Sequence, residues 1–342
     1  MVLLIIAITL GNVVSLVIFL GSKRFWTPQG YLKASLALAD IAVGVLVIPY
    51  SVHREIQVVL QGEDYNQDQS EEVWRFHPCH VIGPIFAGCT FVSITTIFLL
   101  SIERSITVLR PLHKNIVVTK KRTLGLILFS WLLCFFLALV PLLFSRDITL
   151  EYNPCSRMCN YAFSPPHQSS DLNILLLFPA FDFSLLGGTL VINLITFSAI
   201  RQFCNIRKRL AESETQRISN SPSFSDIRAA KTIVILTLSF SVSFGPVAVF
   251  VLGSVLGYQW CDFSFYAFWI LTSNSCWNVV IYSVRDRSFR RRTRELFSGK
   301  VLKDRRPSVW TERRHTTHCV AVIKDILRPQ HTNSAGPAFE IF

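Results

Sequence analysis

Charge is what this chain has least of. Only 16% of its 342 residues are Asp, Glu, Lys or Arg, where a soluble domain carries about a quarter. With 51% hydrophobic residues, that deficit points to a membrane protein. Catalytic signatures are missing too. No nucleophile elbow, phosphate loop or zinc motif occurs, so the chain is not expected to be an enzyme. No N-x-Ser/Thr sequon with an allowed middle residue is present. The first apolar run begins almost at the N-terminus, without the basic region and small-residue cleavage site of a signal peptide. No internal repeat is visible, which removes one signature of a transporter built from inverted halves.

What the chain has is seven long apolar stretches, at 2–20, 31–53, 79–107, 123–145, 172–199, 228–257 and 262–284. A run of about 18 or more apolar residues crosses the hydrocarbon core as a helix. The expected architecture is therefore all-α, a bundle of seven transmembrane helices. The net charge of +12 raises the question of nucleic acid, but its distribution answers otherwise. Thirty of the 34 Lys and Arg residues fall on one side of the spans, and the opposite side has only Arg54, Arg75, Arg146 and Arg157. This asymmetry puts the C-terminus in the cytosol and the N-terminus outside. A multi-pass plasma-membrane protein surrounded by lipid bilayer is expected, with no nucleic-acid partner.

The nine cysteines sort by side. Cys79, Cys155, Cys159 and Cys261 lie at the outer face, where disulfides persist. Cys89, Cys134 and Cys276 lie within spans and read as small apolar packing. Cys204 and Cys319 are cytosolic. Residues 61–76 form an acidic outer segment, and a serine-rich, basic connector of about 28 residues separates the fifth and sixth spans. After Tyr282 comes Arg285-Asp286-Arg287-Ser288-Phe289-Arg290-Arg291-Arg292, running on to Leu296-Phe297. Phe289, Leu296 and Phe297 share one helical face among arginines, which predicts an amphipathic helix on the anionic inner leaflet. Residues 1–297 thus form the transmembrane domain and 298–342 a disordered cytoplasmic tail.

Short motifs recur in six of the seven spans. The first carries Gly11-Asn12, the second Leu36-Ala37-Leu38-Ala39-Asp40 and the third ends in Glu103-Arg104-Ser105. The fourth carries Trp131 and Pro141. The sixth reads Phe240-Ser241-Val242-Ser243-Phe244-Gly245-Pro246, and the seventh Asn274-Ser275-Cys276-Trp277-Asn278-Val279-Val280-Ile281-Tyr282. In this order and spacing the chain resembles the rhodopsin-like (class A) G-protein-coupled receptors over nearly all of residues 1–297. It departs from the family's motifs at Ser105, Phe244 and Val279, where the family has Tyr, Trp and Pro.

The resemblance implies a receptor that passes an extracellular or membrane-borne signal to a heterotrimeric G protein. It implies a switch built from Glu103, Arg104, Asp226, Asn278 and Tyr282, with Asp226 and Glu103 as acidic partners of Arg104. It implies a sodium ion held by Asp40, Ser93, Asn274, Ser275 and Asn278, a ligand set that a hard cation favours; a hydrogen-bonded polar cluster without an ion is the alternative. No other cofactor is expected. A disulfide from Cys79 to the 146–171 loop follows from the outer placement and the resemblance together. Cys159 is the favoured partner and Cys155 the alternative, and Cys155 is then free to pair with Cys261.

The implied ligand pocket is lined by Phe86, Thr90, Phe91, Phe244, Val247, Phe268 and Thr272, an aromatic and nearly uncharged set suited to an apolar ligand or one hydrophobic anchor of a peptide; the rival reading is that these aromatics pack the core with no ligand. Phe86 stands where amine receptors carry Asp, and Thr272 where opsins carry the retinal lysine, so neither a typical amine nor retinal is expected. Asp182 lies deep in the fifth span, either facing this pocket or bonding a neighbouring helix. His53, His77 and His80 near the outer face are candidates for a proton or zinc sensor, against the commoner reading of scattered loop histidines. Two rivals remain: a seven-helix transporter, and a receptor-like protein that binds a partner without signalling.

Overall fold

A computed structural model describes residues 2–61, 78–109, 118–145, 148–163, 174–213, 224–256, 258 and 260–298, without side chains at 58, 61, 203, 204, 206–213, 224–233, 236 and 255. The expected acidic outer segment beyond Gln61, nearly all of the tail and residues 214–223 of the serine-rich connector lie outside the described residues, while both ends of that connector are helical, up to Ser213 and from Phe224.

Seven long helices occur where the apolar runs are. They are Val2–Gly21, Pro28–Ala42 continued by Ile48–Gln61, Cys79–Leu109, Lys120–Phe144, Leu177–Ser213, Phe224–Val255 and Cys261–Arg285. The first six are long and apolar enough to cross a membrane on composition alone. The seventh is diluted by Thr272, Ser273, Asn274, Ser275 and Asn278, most of which are buried. Its polar face turns into the bundle, as polar groups in a membrane must. The fifth helix runs to Ser213, well past the expected limit of 199. Hydropathy had set that limit, whereas Arg201, Gln202 and their neighbours are good helix formers that continue the turn into water.

Local chemistry marks the helix starts. Thr27 caps the second helix by accepting from the Gly30 amide at 3.1 Å, with Pro28 in the first turn. Thr119 does the same for the fourth helix through the Arg122 amide at 3.4 Å. Between its two α-helical halves the second helix takes one wider, π-type turn at Val43–Val47. Such a turn contains one extra residue and recurs at functional positions.

The third helix is the most enclosed. Phe91, Val92, Ile94 and Ile97 pack with Ile8, Val43, Phe240, Phe244 and Leu271 in the central core. Large apolar residues such as Phe129, Leu132, Leu194 and Val242 point outward and are exposed. That is the surface a helix bundle presents to lipid.

One element was not anticipated. Ile148–Asn153 and Met158–Phe163 form an antiparallel hairpin over the outer end, in register Ile148 with Phe163 and Asn153 with Met158. Asn153 closes the turn, its Oδ1 accepting from the amides of Cys155 (2.8 Å) and Ser156 (3.2 Å). Leu150 beds against the third helix so closely that a Cβ at Gly83 would stand 2.5 Å from its Cδ2.

The helix after the seventh span is Arg287–Phe297, capped by Asp286 through the amides of Ser288 and Phe289. Its expected apolar face needs correction. Phe289 is buried against Phe19 (5.7 Å between ring centroids) and Tyr282 (6.1 Å), while Phe297 is exposed. Phe289 therefore docks the helix on the first and seventh spans, and only its distal end offers an apolar residue to the leaflet.

Candidate functional site

The polar residues of four helices meet at mid-bundle. Asp40, on the second helix just before the wide turn, is 1% exposed, and its Oδ2 accepts from Nδ2 of Asn278 at 3.0 Å. Ser275 hydrogen-bonds the same carboxylate. Asn12 donates to the backbone oxygens of Ile8 and Ser275, both at 2.9 Å, tying the first helix to the seventh. Ser93, buried on the third helix, donates to the Cys89 carbonyl at 2.9 Å, which leaves its oxygen lone pairs uncommitted. Asn274 is buried one residue before Ser275.

A small cavity lies against this cluster, lined by Val43, Phe86, Cys89, Thr90, Ser93, Phe240, Leu271, Thr272, Asn274 and Ser275, with room for about one water-sized particle. It joins two sets that the sequence kept apart. Ser93, Asn274 and Ser275 come from the expected ion site, and Phe86, Thr90 and Thr272 from the expected ligand lining. The rest of that lining does not reach it. Phe91 packs on Phe178 (5.1 Å) and Phe181 (5.4 Å) of the fifth helix. Phe244 stacks on Phe240 at 5.9 Å, Phe268 sits edge-on to Phe250 at 5.7 Å, and Val247 is buried in the central core. In the described structure these four pack against apolar and aromatic neighbours.

Above the cavity, the outer hairpin is held by both expected disulfides, Cys79–Cys159 and Cys155–Cys261. Three of its residues fix it further. Arg157 pairs with Glu55 of the second helix at 2.7 Å and lies 5.1 Å over the Phe265 ring of the seventh. Tyr161 donates to the Ala138 carbonyl of the fourth helix at 2.6 Å, and burial pushes its hydroxyl pKa up. Tyr152 is pushed up to about 12, first by burial and then by the Glu55 carboxylate. It therefore stays protonated and donates to Glu55, 3.5 Å away.

At the end of the bundle away from the hairpin, Arg104 lies 3.6 Å from the Glu103 carboxylate and also donates to Oε1 of Gln29. Gln29 was not anticipated; nothing in its local sequence marks it. Thr107 bonds the Glu103 carbonyl at 2.8 Å. The side chain of Asp226 lies outside the described residues. Tyr282 is buried under the final helix, where Lys33 approaches its ring at 4.7 Å and reaches Asp286 at 3.5 Å.

Asp182 is 1% exposed, and its Oδ1 has no hydrogen-bond partner. It lies within electrostatic reach of Cys134 on the fourth helix and does not line the cavity. His53 and His80 are exposed and His77 is not described. Among the described residues no three His, Cys, Asp or Glu side chains gather to hold a metal.

Comparison with known proteins agrees with this arrangement. A family model described as "7 transmembrane receptor (rhodopsin family)" matches residues 11–282. The chain is 27% identical to trace amine-associated receptor 7d of Mus musculus, covering 86% of this chain and 80% of that protein. It is 26% identical to adenosine receptor A2a of Canis lupus familiaris, over 87% and 71% of the two chains. It is 24% identical to adenosine receptor A2b of Bos taurus, over 85% and 86%.

Proposed function

Because this chain belongs to the rhodopsin family of seven-transmembrane receptors, we propose that it carries a signal from the outer face to a heterotrimeric G protein on the cytosolic side. The observation that carries this reading is the state of Arg104. It lies in the last turns of the third helix in contact with two partners, the Glu103 carboxylate and Gln29, that can be exchanged for a third. A charge held at a buried edge in this way works as a switch more than as a stabiliser. The clustering of basic residues puts this end in the cytosol, with the N-terminus outside.

The family implies a sodium ion at mid-bundle, and the residues present suit one. Asp40, Ser93, Asn274, Ser275 and Asn278 offer oxygen donors around a single carboxylate beside a small cavity. A bound cation would supply a countercharge to Asp40. The relatives are named for trace amines and adenosine, but Phe86 gives an amine no counter-ion at the position where amine receptors place one. The lining favours an apolar, uncharged group.

The test is a panel of G-protein activation sensors in cells, comparing wild type with Arg104→Ala at matched surface expression. A basal signal in wild type that falls in the variant is expected. No signal above untransfected cells for any G-protein class would instead favour the non-signalling receptor, a reading supported by Ser105, Phe244 and Val279.

A further inference from the structure

Met158 belongs to an extracellular hairpin, yet its exposure is 0% and it packs with the core of the transmembrane bundle. Its Sδ lies 3.9 Å from Oγ1 of Thr272, the hydroxyl whose own hydrogen bond runs to the Phe268 carbonyl at 2.8 Å. Thr272 in turn lines the mid-bundle cavity beside Cys89 and Thr90. An outer segment therefore delivers a side chain to the place where a diffusible ligand was expected.

Everything around Met158 holds it there. Cys159, the next residue, is bonded to the third helix, and Cys155, three residues earlier, to the seventh. Arg157, the residue before, is clamped between Glu55 and the Phe265 ring. That arginine has a φ of 56°, a left-handed conformation that L side chains disfavour. The ion pair and ring contact hold the conformation that points the following residue inward. Methionine suits the position, since an unbranched, polarizable thioether fills irregular apolar gaps.

We propose that Met158 is a ligand built into the chain. The hairpin fills the receptor's pocket with a thioether side chain, and an external molecule gains the pocket only by displacing it. A tethered occupant competes at an effective concentration of about millimolar or above. A successful competitor therefore offers an uncharged, slender apolar group of methionine's dimensions. The proposal rests on reading this cavity as the receptor's ligand site, but its test reads access rather than signalling, so the two can fail separately.

Cys89 is the reporter. It is a free thiol, 1% exposed, lining the cavity inward of Met158. Full-length receptor on intact cells is treated with a small, membrane-impermeant methanethiosulfonate reagent, and labelling is normalised to surface protein. Cys89→Ala in each background subtracts labelling at every other cysteine. Cys89 is expected to be nearly inert in wild type. Met158→Ala should raise its labelling rate about tenfold or more, because access follows the open population and that follows the packing lost. Met158→Leu, of similar volume, should stay within about twofold of wild type. If Met158→Ala does not reach the surface, Cys155→Ser combined with Cys261→Ser releases the hairpin from the seventh helix and should open the pocket likewise. Rapid labelling of Cys89 in wild type overturns the proposal. So does an unlabelled Cys89 in a surface-expressed variant whose plug is removed or released.

Discussion

Nζ of Lys33 lies 3.5 Å from Oδ2 of Asp286, so the second helix is tied to the start of the last one. The same carboxylate caps that helix through two amides, at 2.9 Å to Ser288 and 3.2 Å to Phe289. Lys33 also faces the rings of Phe19 and Tyr282, at 5.7 Å and 4.7 Å to their centroids. One carboxylate thus fixes both where the final helix begins and where it docks.

Asp286→Ala should therefore cost more than an ordinary cap. The cap alone is worth about 0.5–2 kcal/mol, and a buried lysine left without its partner adds to the loss. Asp286→Asn keeps the cap and loses the charge. The expected order of apparent melting temperature in detergent is wild type, then Asn, then Ala. Equal melting of the Asn and Ala variants would show that the cap contributes nothing.

The outer disulfides set a second expectation. Peptide mapping without reduction should recover Cys79 joined to Cys159 and Cys155 joined to Cys261. Loss of a native disulfide costs about 2–5 kcal/mol in small secreted domains. The Cys79→Ser and Cys159→Ser pair should accordingly lose most surface expression. A free Cys79 in surface-expressed protein would contradict the arrangement.

Sodium should stabilise the wild type and not Asp40→Asn. A ligand that binds only the folded state at about a hundred times its Kd adds about 2.7 kcal/mol. Melting is compared in sodium chloride and in choline chloride of equal ionic strength. A sodium response that survives in Asp40→Asn would identify the cluster as a hydrogen-bonded network without an ion.

At the cytosolic end, Gln29→Ala removes a contact made by Arg104 in the structure described. Asp226→Ala removes the acid that the family resemblance assigns to the same arginine. Each should raise basal signalling, about tenfold for every 1.4 kcal/mol withdrawn from the closed state alone. Arg104→Ala should not copy them if, as proposed, that arginine also meets the G protein in the open state. Basal signals unchanged by both substitutions would remove the switch.

Residue patterns revealed the bundle because each span declares itself locally, by length and hydropathy, and the motifs mark depth within each span. The disulfides were legible from the outer placement of four cysteines together with the family resemblance, which favoured Cys159 over Cys155 as the partner of Cys79. Tertiary partners were not. Gln29 and Lys33 are unremarkable in sequence, and only the packing of the second helix against the third and the last gives them Arg104 and Asp286. The hairpin did leave a trace, the alternation Ile148-Thr149-Leu150-Glu151-Tyr152. A two-residue period that short is weak beside seven long apolar runs. The depth of Met158 has no local signal, because it depends on two covalent tethers and a backbone bend at Arg157.

The wide turn at Val43–Val47 sets the phase of the second helix. An α-helix advances about 100° per residue, so excising one residue there would swing everything beyond it round the axis by that angle. Arg54, which lies 5.3 Å over the Tyr152 ring, and Glu55, paired with Arg157, would leave these partners and carry their charges toward hydrocarbon, while Asp40, on the near side, would keep its place. Point substitutions in this stretch alter packing only locally. A single-codon deletion works like a screw turned by a quarter, leaving the inner half of the helix in register and the outer half facing the wrong neighbour. Related chains that differ by one residue here should therefore carry their outer charges at positions shifted by one as well.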